Sequence, residues 1–233
     1  MANTVIYALL GGILPALIWL IFWLREDRLS PEPRLFIFRT FIFGMLGVLL
    51  ITVGAIVFED QVGTLLNNLT IGAIFLLATL EESLKLLAAY FGGLDTSEDN
   101  EPIDPMIYTI TAALGFVALE NALFILGPLM DGQVAKSILT GDMRFIGASL
   151  LHVVSSGLIG VAISFSFYKS RTKKILASII GLVGAIIFHT FFNTLITFLN
   201  GTGNMWSSIA VWIGVIFLLW AFEKAKSIAP QNQ

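Results

Sequence analysis

The chain has 233 residues, 57% of them hydrophobic and 12% charged, with a formal net charge of −3. Soluble domains are closer to half apolar and a quarter charged, so this composition argues against a soluble globular protein and for one whose outer surface is solvated by lipid. The small negative charge provides no basic surface for nucleic acid, and the absence of cysteine excludes disulfides, thiol nucleophiles and thiolate metal sites.

Seven segments are long and apolar enough to be transmembrane helices, which need roughly 20 residues each. The predicted spans, in chain order, are 3–24, 36–58, 67–91, 105–127, 145–168, 175–199 and 205–222. The gaps between them are short and polar. We therefore predict an all-α, polytopic membrane bundle that forms a single domain over residues 1–233.

The distribution of basic residues predicts the orientation of this bundle, because cytoplasmic loops are enriched in lysine and arginine. Ten of the 13 basic residues fall on one side of the seven-span arrangement: Arg25, Arg28, Arg34, Arg39, Lys169, Arg171, Lys173, Lys174, Lys224 and Lys226. Only Lys136 and Arg144 fall on the other side. We expect the N-terminus outside and the C-terminus in the cytoplasm.

The third predicted span contains three charged residues, Glu81, Glu82 and Lys85. A charge at the bilayer centre costs at least about 2.5–3.5 kcal/mol, so such residues are usually functional. Lys85 can pair with either glutamate, but the two carboxylates diverge by roughly 100° around the helix. One of them is therefore expected to be free, and the i,i+3 spacing from Lys85 favours Glu82 as that one.

Three later spans carry further ionisable groups: Glu120 in the fourth, His152 in the fifth, and His189 with Asn193 in the sixth. Glu120 has no basic neighbour in its own span, so it must either find a partner on another helix or be protonated. With a rise of 1.5 Å per residue, these groups and the two glutamates of the third span fall within a slab about 10 Å thick. We expect them to meet in one site.

A carboxylate beside a histidine can activate water, and a second histidine with an amide can stabilise an oxyanion, which together suit peptide hydrolysis. The same groups also suit a proton relay in a transporter or a divalent metal site. The sequence has no HExxH, GxSxG or Walker A motif. The chemistry of the residues alone leaves these three functions open.

The sequence also resembles the PrsW family of intramembrane proteases, within the superfamily of CAAX-processing and Abi-type membrane proteases. The resemblance runs over about residues 27–193 in ordered motifs. These are the segment DRLSPEPR from Asp27, Glu81-Glu82-x-x-Lys85, Phe116-x-x-x-Glu120-Asn121, His152, and His189 with Asn193. Ser30 stands where the family segment usually has glutamate.

This resemblance implies a glutamic-type endopeptidase that uses no metal or other cofactor. Glu81 or Glu82 would activate water, assisted by Glu120 and His152, and His189 and Asn193 would bind the oxyanion. The supporting residues would be Lys85, Phe116, Asn121 and Asn193. The implied substrate is a membrane-anchored regulatory protein, such as an anti-sigma factor, and the implied location is the cytoplasmic membrane of a bacterium.

Two other functions remain compatible with the sequence. A non-catalytic scaffold could retain the same motifs while supporting another protease. A proton-coupled transporter could use the same carboxylates, although the sequence shows neither an internal repeat nor a proline-broken span beyond Pro15.

Overall fold

The computed structural model describes residues 2–60, 62–63 and 70–229. This part of the chain forms seven long α-helices and contains no β-strand. The helices are α1 (Ala2–Leu24), α2 (Arg34–Val57), α3 (Ile71–Ala89), α4 (Asp104–Met130), α5 (Val134–Phe165), α6 (Arg171–Phe198) and α7 (Asn200–Lys226). A 3-10 turn (Arg25–Asp27) follows α1, and a π-helical turn (Tyr90–Leu94) follows α3. The predicted all-α membrane bundle is confirmed.

Six of the seven helices are long and apolar enough to cross a bilayer. The exception is α3, because Glu81, Glu82 and Lys85 interrupt its apolar sequence. The third predicted span began at residue 67, and its first three residues lie outside the described part of the chain, as do 61 and 64–66 of the loop expected before it. The structure therefore places a helix at each of the seven predicted spans, although one of them is not apolar by composition.

Two helices begin five or more residues earlier than the sequence predicts. Helix α5 starts at Val134 instead of residue 145, so most of the segment expected as an external loop is helical. The start of this helix contains the polar residues Lys136, Asp142 and Arg144, so its sequence lacks the apolar run that predicts a transmembrane helix. Helix α7 starts at Asn200, directly after the Leu199 that ends α6, so no separate loop 200–204 exists.

Helix α4 is the centre of the bundle and packs against α1, α2, α3 and α5. Nineteen of its residues are buried, including every residue from Asp104 to Leu119. The surrounding helices α1, α2 and α6 expose long apolar side chains instead, as expected for surfaces that face lipid tails. The site residues carried by α4 are consequently held by neighbours on several sides.

Glycines allow α1 and α2 to approach α4 closely. A Cβ atom placed on Gly12 of α1 would collide with the backbone at Ala118 and Ala122, and one on Gly44 of α2 would collide with the carbonyl of Ala112. Small residues at helix interfaces maximise van der Waals packing where lipid offers no hydrophobic driving force between helices. These contacts hold α1 and α2 against the central helix.

The ends of α2, α3 and α4 are joined by polar contacts at one end of the bundle. The Arg39 guanidinium donates Nε and Nη2 to the carbonyl of Gly92 in the π-helical turn, at 2.9 and 2.6 Å. The Tyr108 hydroxyl donates to the Glu32 carboxylate. Partial burial raises the pKa of Glu32 to about 8. The DRLSPEPR segment is therefore anchored on α4.

Replacing Gly44 with alanine should destabilise the bundle by roughly 1–3 kcal/mol, because the added methyl group overlaps the α4 backbone. Gly54 on the same helix is the matched control, since no atom of the described residues lies within 4 Å of a Cβ placed there. Thermal unfolding of Gly44→Ala and Gly54→Ala in detergent measures the difference. Equal unfolding temperatures for the two variants would contradict the close packing of α2 on α4.

Candidate active site

Four helices bring the five predicted catalytic side chains into one buried cluster. Helix α3 supplies Glu81 and Glu82, α4 supplies Glu120, α5 supplies His152 and α6 supplies His189. The rings of the two histidines are 5.1 Å apart and meet edge to face. Residues expected at a common depth in separate spans therefore lie in contact.

The Glu82 carboxylate is the most highly bonded group of this cluster. Its side chain is fully buried, and its Oε1 atom accepts from Lys85 Nζ at 2.6 Å and Ser155 Oγ at 2.8 Å. Ser156 Oγ donates to Oε2 at 2.9 Å. The Nδ1 atom of His189 lies 2.7 Å from Oε1 and completes the set. Glu82 therefore links α3 to both α5 and α6.

This arrangement differs from the expectation that Glu82 is the freer of the two glutamates. Its Oε1 and Oε2 atoms are occupied, whereas Glu81 Oε2 is buried without a hydrogen-bond partner among the described residues. The i,i+3 geometry to Lys85 did not reveal this, because three of the donors to Glu82 come from helices distant in sequence. Glu81 is the carboxylate with an oxygen available for chemistry.

His189 connects the two glutamates. Its Nδ1–H points at Glu82, an assignment that follows because a carboxylate only accepts hydrogen bonds. The Nε2 atom then carries a lone pair, and it lies 3.7 Å from Glu81 Oε2. These two atoms face the same space and are both within reach of a single water molecule.

His152 has the opposite arrangement of ring nitrogens. Lys85 Nζ lies 2.8 Å from its Nδ1, and a charged ammonium only donates. Nδ1 therefore accepts, and the proton of the neutral ring lies on Nε2, 3.3 Å from Glu120 Oε2. The Phe116 ring packs on this pair, 5.6 Å from the His152 ring and 5.0 Å from Lys85 Nζ.

Arg144 is a member of the cluster that the sequence analysis placed in an external loop. It pairs with Glu120 through Nη2, donates Nε to Asn121 Oδ1 at 2.6 Å, and lies 3.9 Å above the Phe124 ring. Glu120 was expected either to find a partner on another helix or to be protonated, and Arg144 is that partner. The sequence did not predict this pair, because α5 begins eleven residues before its apolar part.

Asn193 does not join this network. Its side chain is half-buried on α6, and among the described residues it makes no hydrogen bond to the cluster. Asn121 is instead the amide in contact with the cluster. Its Oδ1 accepts from Arg144 Nε, and its Nδ2 lies 3.4 Å from Ser149 Oγ. The oxyanion role expected for Asn193 therefore has no contact that supports it.

The cluster opens on the side of Glu81, Glu120 and Arg144. Their side chains are 16%, 19% and 18% exposed, whereas those of Glu82, Lys85, His152 and His189 are at most 3% exposed. Water and a substrate would therefore meet Glu81 and the Glu120–Arg144 pair first, with the Glu82 network behind them.

The cluster also contains a donor set for a divalent metal. Glu81, His152 and His189 each offer a ligand atom within 4.8 Å of the others. One carboxylate and two histidines form a donor set of catalytic zinc, and Glu82 behind His189 matches the carboxylate that often orients a metal-bound histidine. The residues fit a metal in type and spacing. The contact between Lys85 and His152 opposes metal binding, because this contact places the proton of His152 on Nε2.

Comparisons with known proteins agree with the motifs. A family model described as PrsW family intramembrane metalloprotease matches residues 32–221. Protease PrsW of Bacillus subtilis (strain 168) is 26% identical over 228 residues, covering 95% of each chain. Protease PrsW of Oceanobacillus iheyensis is 31% identical over 161 residues, 69% of this chain and 72% of that one.

Protease PrsW of Geobacillus kaustophilus is 29% identical over 161 residues, which cover 69% of this chain and 65% of the relative. No solved structure matches the chain significantly. The family model covers most of the chain and all of the clustered residues, and it confirms the resemblance drawn from the motifs. The chain belongs to the PrsW family of intramembrane proteases.

Proposed function

We propose that this chain is an endopeptidase that hydrolyses a peptide bond of a membrane-anchored protein with water activated by Glu81. The observation that carries the proposal is the Glu81 Oε2 atom, which is buried, has no hydrogen-bond partner within the described part of the chain and lies 3.7 Å from His189 Nε2. A carboxylate with a free oxygen beside a histidine lone pair is an arrangement suited to general-base catalysis.

In this mechanism one water molecule lies against Glu81 Oε2 and His189 Nε2. Glu81 takes a proton from the water as the water oxygen forms a bond to the carbonyl carbon of the substrate. The resulting oxyanion accepts a hydrogen bond from the Nε2–H of His152, which turns to it from the Glu120 carboxylate 3.3 Å away. Collapse of this intermediate breaks the C–N bond, and the proton held by Glu81 passes to the leaving amine.

The remaining cluster residues position these groups. Glu82 fixes the ring of His189, and Lys85 fixes the tautomer of His152. Arg144 and Asn121 hold Glu120 beside His152 Nε2. Each of these roles is supported by a direct contact, and each acts through a neighbour instead of on the reacting atoms.

The proposed class is glutamic, because the Lys85 contact works against ligation by His152. If a divalent metal bound at this site, Glu81, His152 and His189 would hold it, and it would supply Lewis-acid activation of water. Sensitivity to a chelator separates these two classes of protease, and it decides whether Glu81 acts as a general base or as a metal ligand.

We further propose that the chain lies in the cytoplasmic membrane with its N-terminus outside and C-terminus inside, as a single domain. The bias of lysine and arginine toward one side supports this orientation. The proposed substrate is a regulatory protein with one membrane anchor, such as an anti-sigma factor, as the family resemblance implies.

Glu81→Gln should lower cleavage of a single-span substrate by about 100-fold or more, because the amide cannot accept the water proton. Wild type and variant, purified in detergent, are incubated with a panel of single-span membrane proteins, with and without a chelator. Glu223→Gln is the control, since that glutamate is exposed at the end of α7. We expect cleavage by wild type and Glu223→Gln that is unaffected by the chelator.

Full activity of Glu81→Gln would refute the role of Glu81. Loss of wild-type cleavage in the chelator, restored by zinc, would refute the glutamic class and make Glu81 a metal ligand. A folded wild type that cleaves none of the panel, yet is required for a partner protease in cells, would favour a scaffold.

Glu82→Gln and Lys85→Met should each destabilise the fold by roughly 3–5 kcal/mol, because each leaves its buried partner charge uncompensated. The double variant removes both charges and should recover much of that loss in thermal unfolding. Its cleavage should remain low, since His189 and His152 have lost the groups that orient them. Additive destabilisation in the double variant would contradict the pairing.

A further inference from the structure

A second cluster of carboxyl groups lies at the opposite end of α4 from the hydrolytic cluster. It consists of Asp27 in the turn after α1, Glu32 in the following loop, and Glu101 and Asp104 at the start of α4. Asp27, Glu101 and Asp104 each offer a carboxylate oxygen within 4.8 Å of the others. Asp27 is 4% exposed and Asp104 is 1% exposed.

The contacts of Asp104 leave one oxygen for a ligand. Its Oδ2 atom accepts from the backbone N–H groups of Asn100, at 2.8 Å, and Glu101, at 2.6 Å. Its Oδ1 atom is buried and has no hydrogen-bond donor among the described residues. The backbone N–H of Glu32 donates to Asp27 Oδ2 at 3.1 Å, which brings the loop after α1 against the same cluster.

No basic side chain of the described residues forms an ion pair with this cluster. Lys226 is the nearest candidate, but it binds Glu26 at 2.8 Å and Glu223 at 2.7 Å. Arg25 and Arg28 line an adjoining cavity of about 420 Å³ and make no ion pair with the cluster. Buried carboxylates are normally paired or bound to a metal, so this cluster lacks its counter-charge.

We propose that Asp27, Glu101 and Asp104 bind a hard divalent cation of the Mg²⁺ or Ca²⁺ class. Carboxylate oxygens without nitrogen or sulfur donors are typical of these ions. The adjoining cavity, which Asp27 and Glu101 also line, provides room for water ligands and a path of entry.

The bound ion fastens the DRLSPEPR segment to the start of the central helix. Asp104 and Glu120 are sixteen residues apart on α4, about 24 Å along its axis. The ion is therefore remote from the hydrolytic cluster and takes no part in the chemistry there. This assignment does not depend on the proposed function, and it gives a physical role to the one motif outside the catalytic cluster.

The test is calorimetric titration of the full chain in detergent at pH 7, after removal of metals, with MgCl₂ and CaCl₂ in separate runs. We expect one saturable site and a rise of several degrees in the unfolding temperature with the bound ion. Asp104→Asn should weaken the affinity by tenfold or more. Glu101→Gln, at a half-buried position, gives the same readout if Asp104→Asn does not fold.

The control is Glu81→Gln, which changes the hydrolytic cluster alone and should retain the affinity of the wild type. Comparing the two salts identifies the ion. Failure of the folded wild type to bind either ion would overturn the proposal and assign the neutralising charge to protons. Binding that survives Asp104→Asn and Glu101→Gln, or that Glu81→Gln abolishes, would place the ion elsewhere and would also overturn it.

Discussion

The structure depends on one fully buried carboxylate, that of Glu82. Glu82 is stabilised by Lys85 of its own helix and by donors from α5 and α6. A buried charge persists only when its hydrogen-bonding capacity is satisfied, so the positions of three helices are fixed relative to this group. The histidines and Lys85 are aligned as a result.

This constraint gives the two adjacent glutamates, Glu81 and Glu82, different environments. A rotation of roughly 100° around α3 sends Glu82 into the protein interior and Glu81 toward the open side of the cluster. The first is held by donors and unavailable, and the second keeps an unpaired oxygen beside His189. One helix therefore supplies both a rigid support, Glu82, and a reactive group, Glu81. The position of Glu81 is well defined because Glu82 is held in place.

Hydropathy and motif order were sufficient to predict the seven helices and the residues that meet, because lipid imposes helices and makes buried charge conspicuous. They could not rank Glu81 against Glu82, since the donors Ser155 and Ser156 lie more than seventy positions away. Arg144 was missed because a polar first third of α5 resembles a loop. Asn193 was chosen for its i,i+4 spacing from His189, which places two residues on one face without requiring a contact.

The three charges of α3 also affect how the protein is made. The helix leaves the ribosome before the residues of α5 and α6 that form hydrogen bonds with Glu82 exist, because His189 follows Glu82 by 107 positions. At 5–20 residues per second that interval is roughly 5–20 s. During this time lipid would reject a segment with three ionised groups, each costing about 2.5–3.5 kcal/mol. We therefore expect nascent α3 to stay at the translocon or the membrane surface until α5 and α6 have been synthesised.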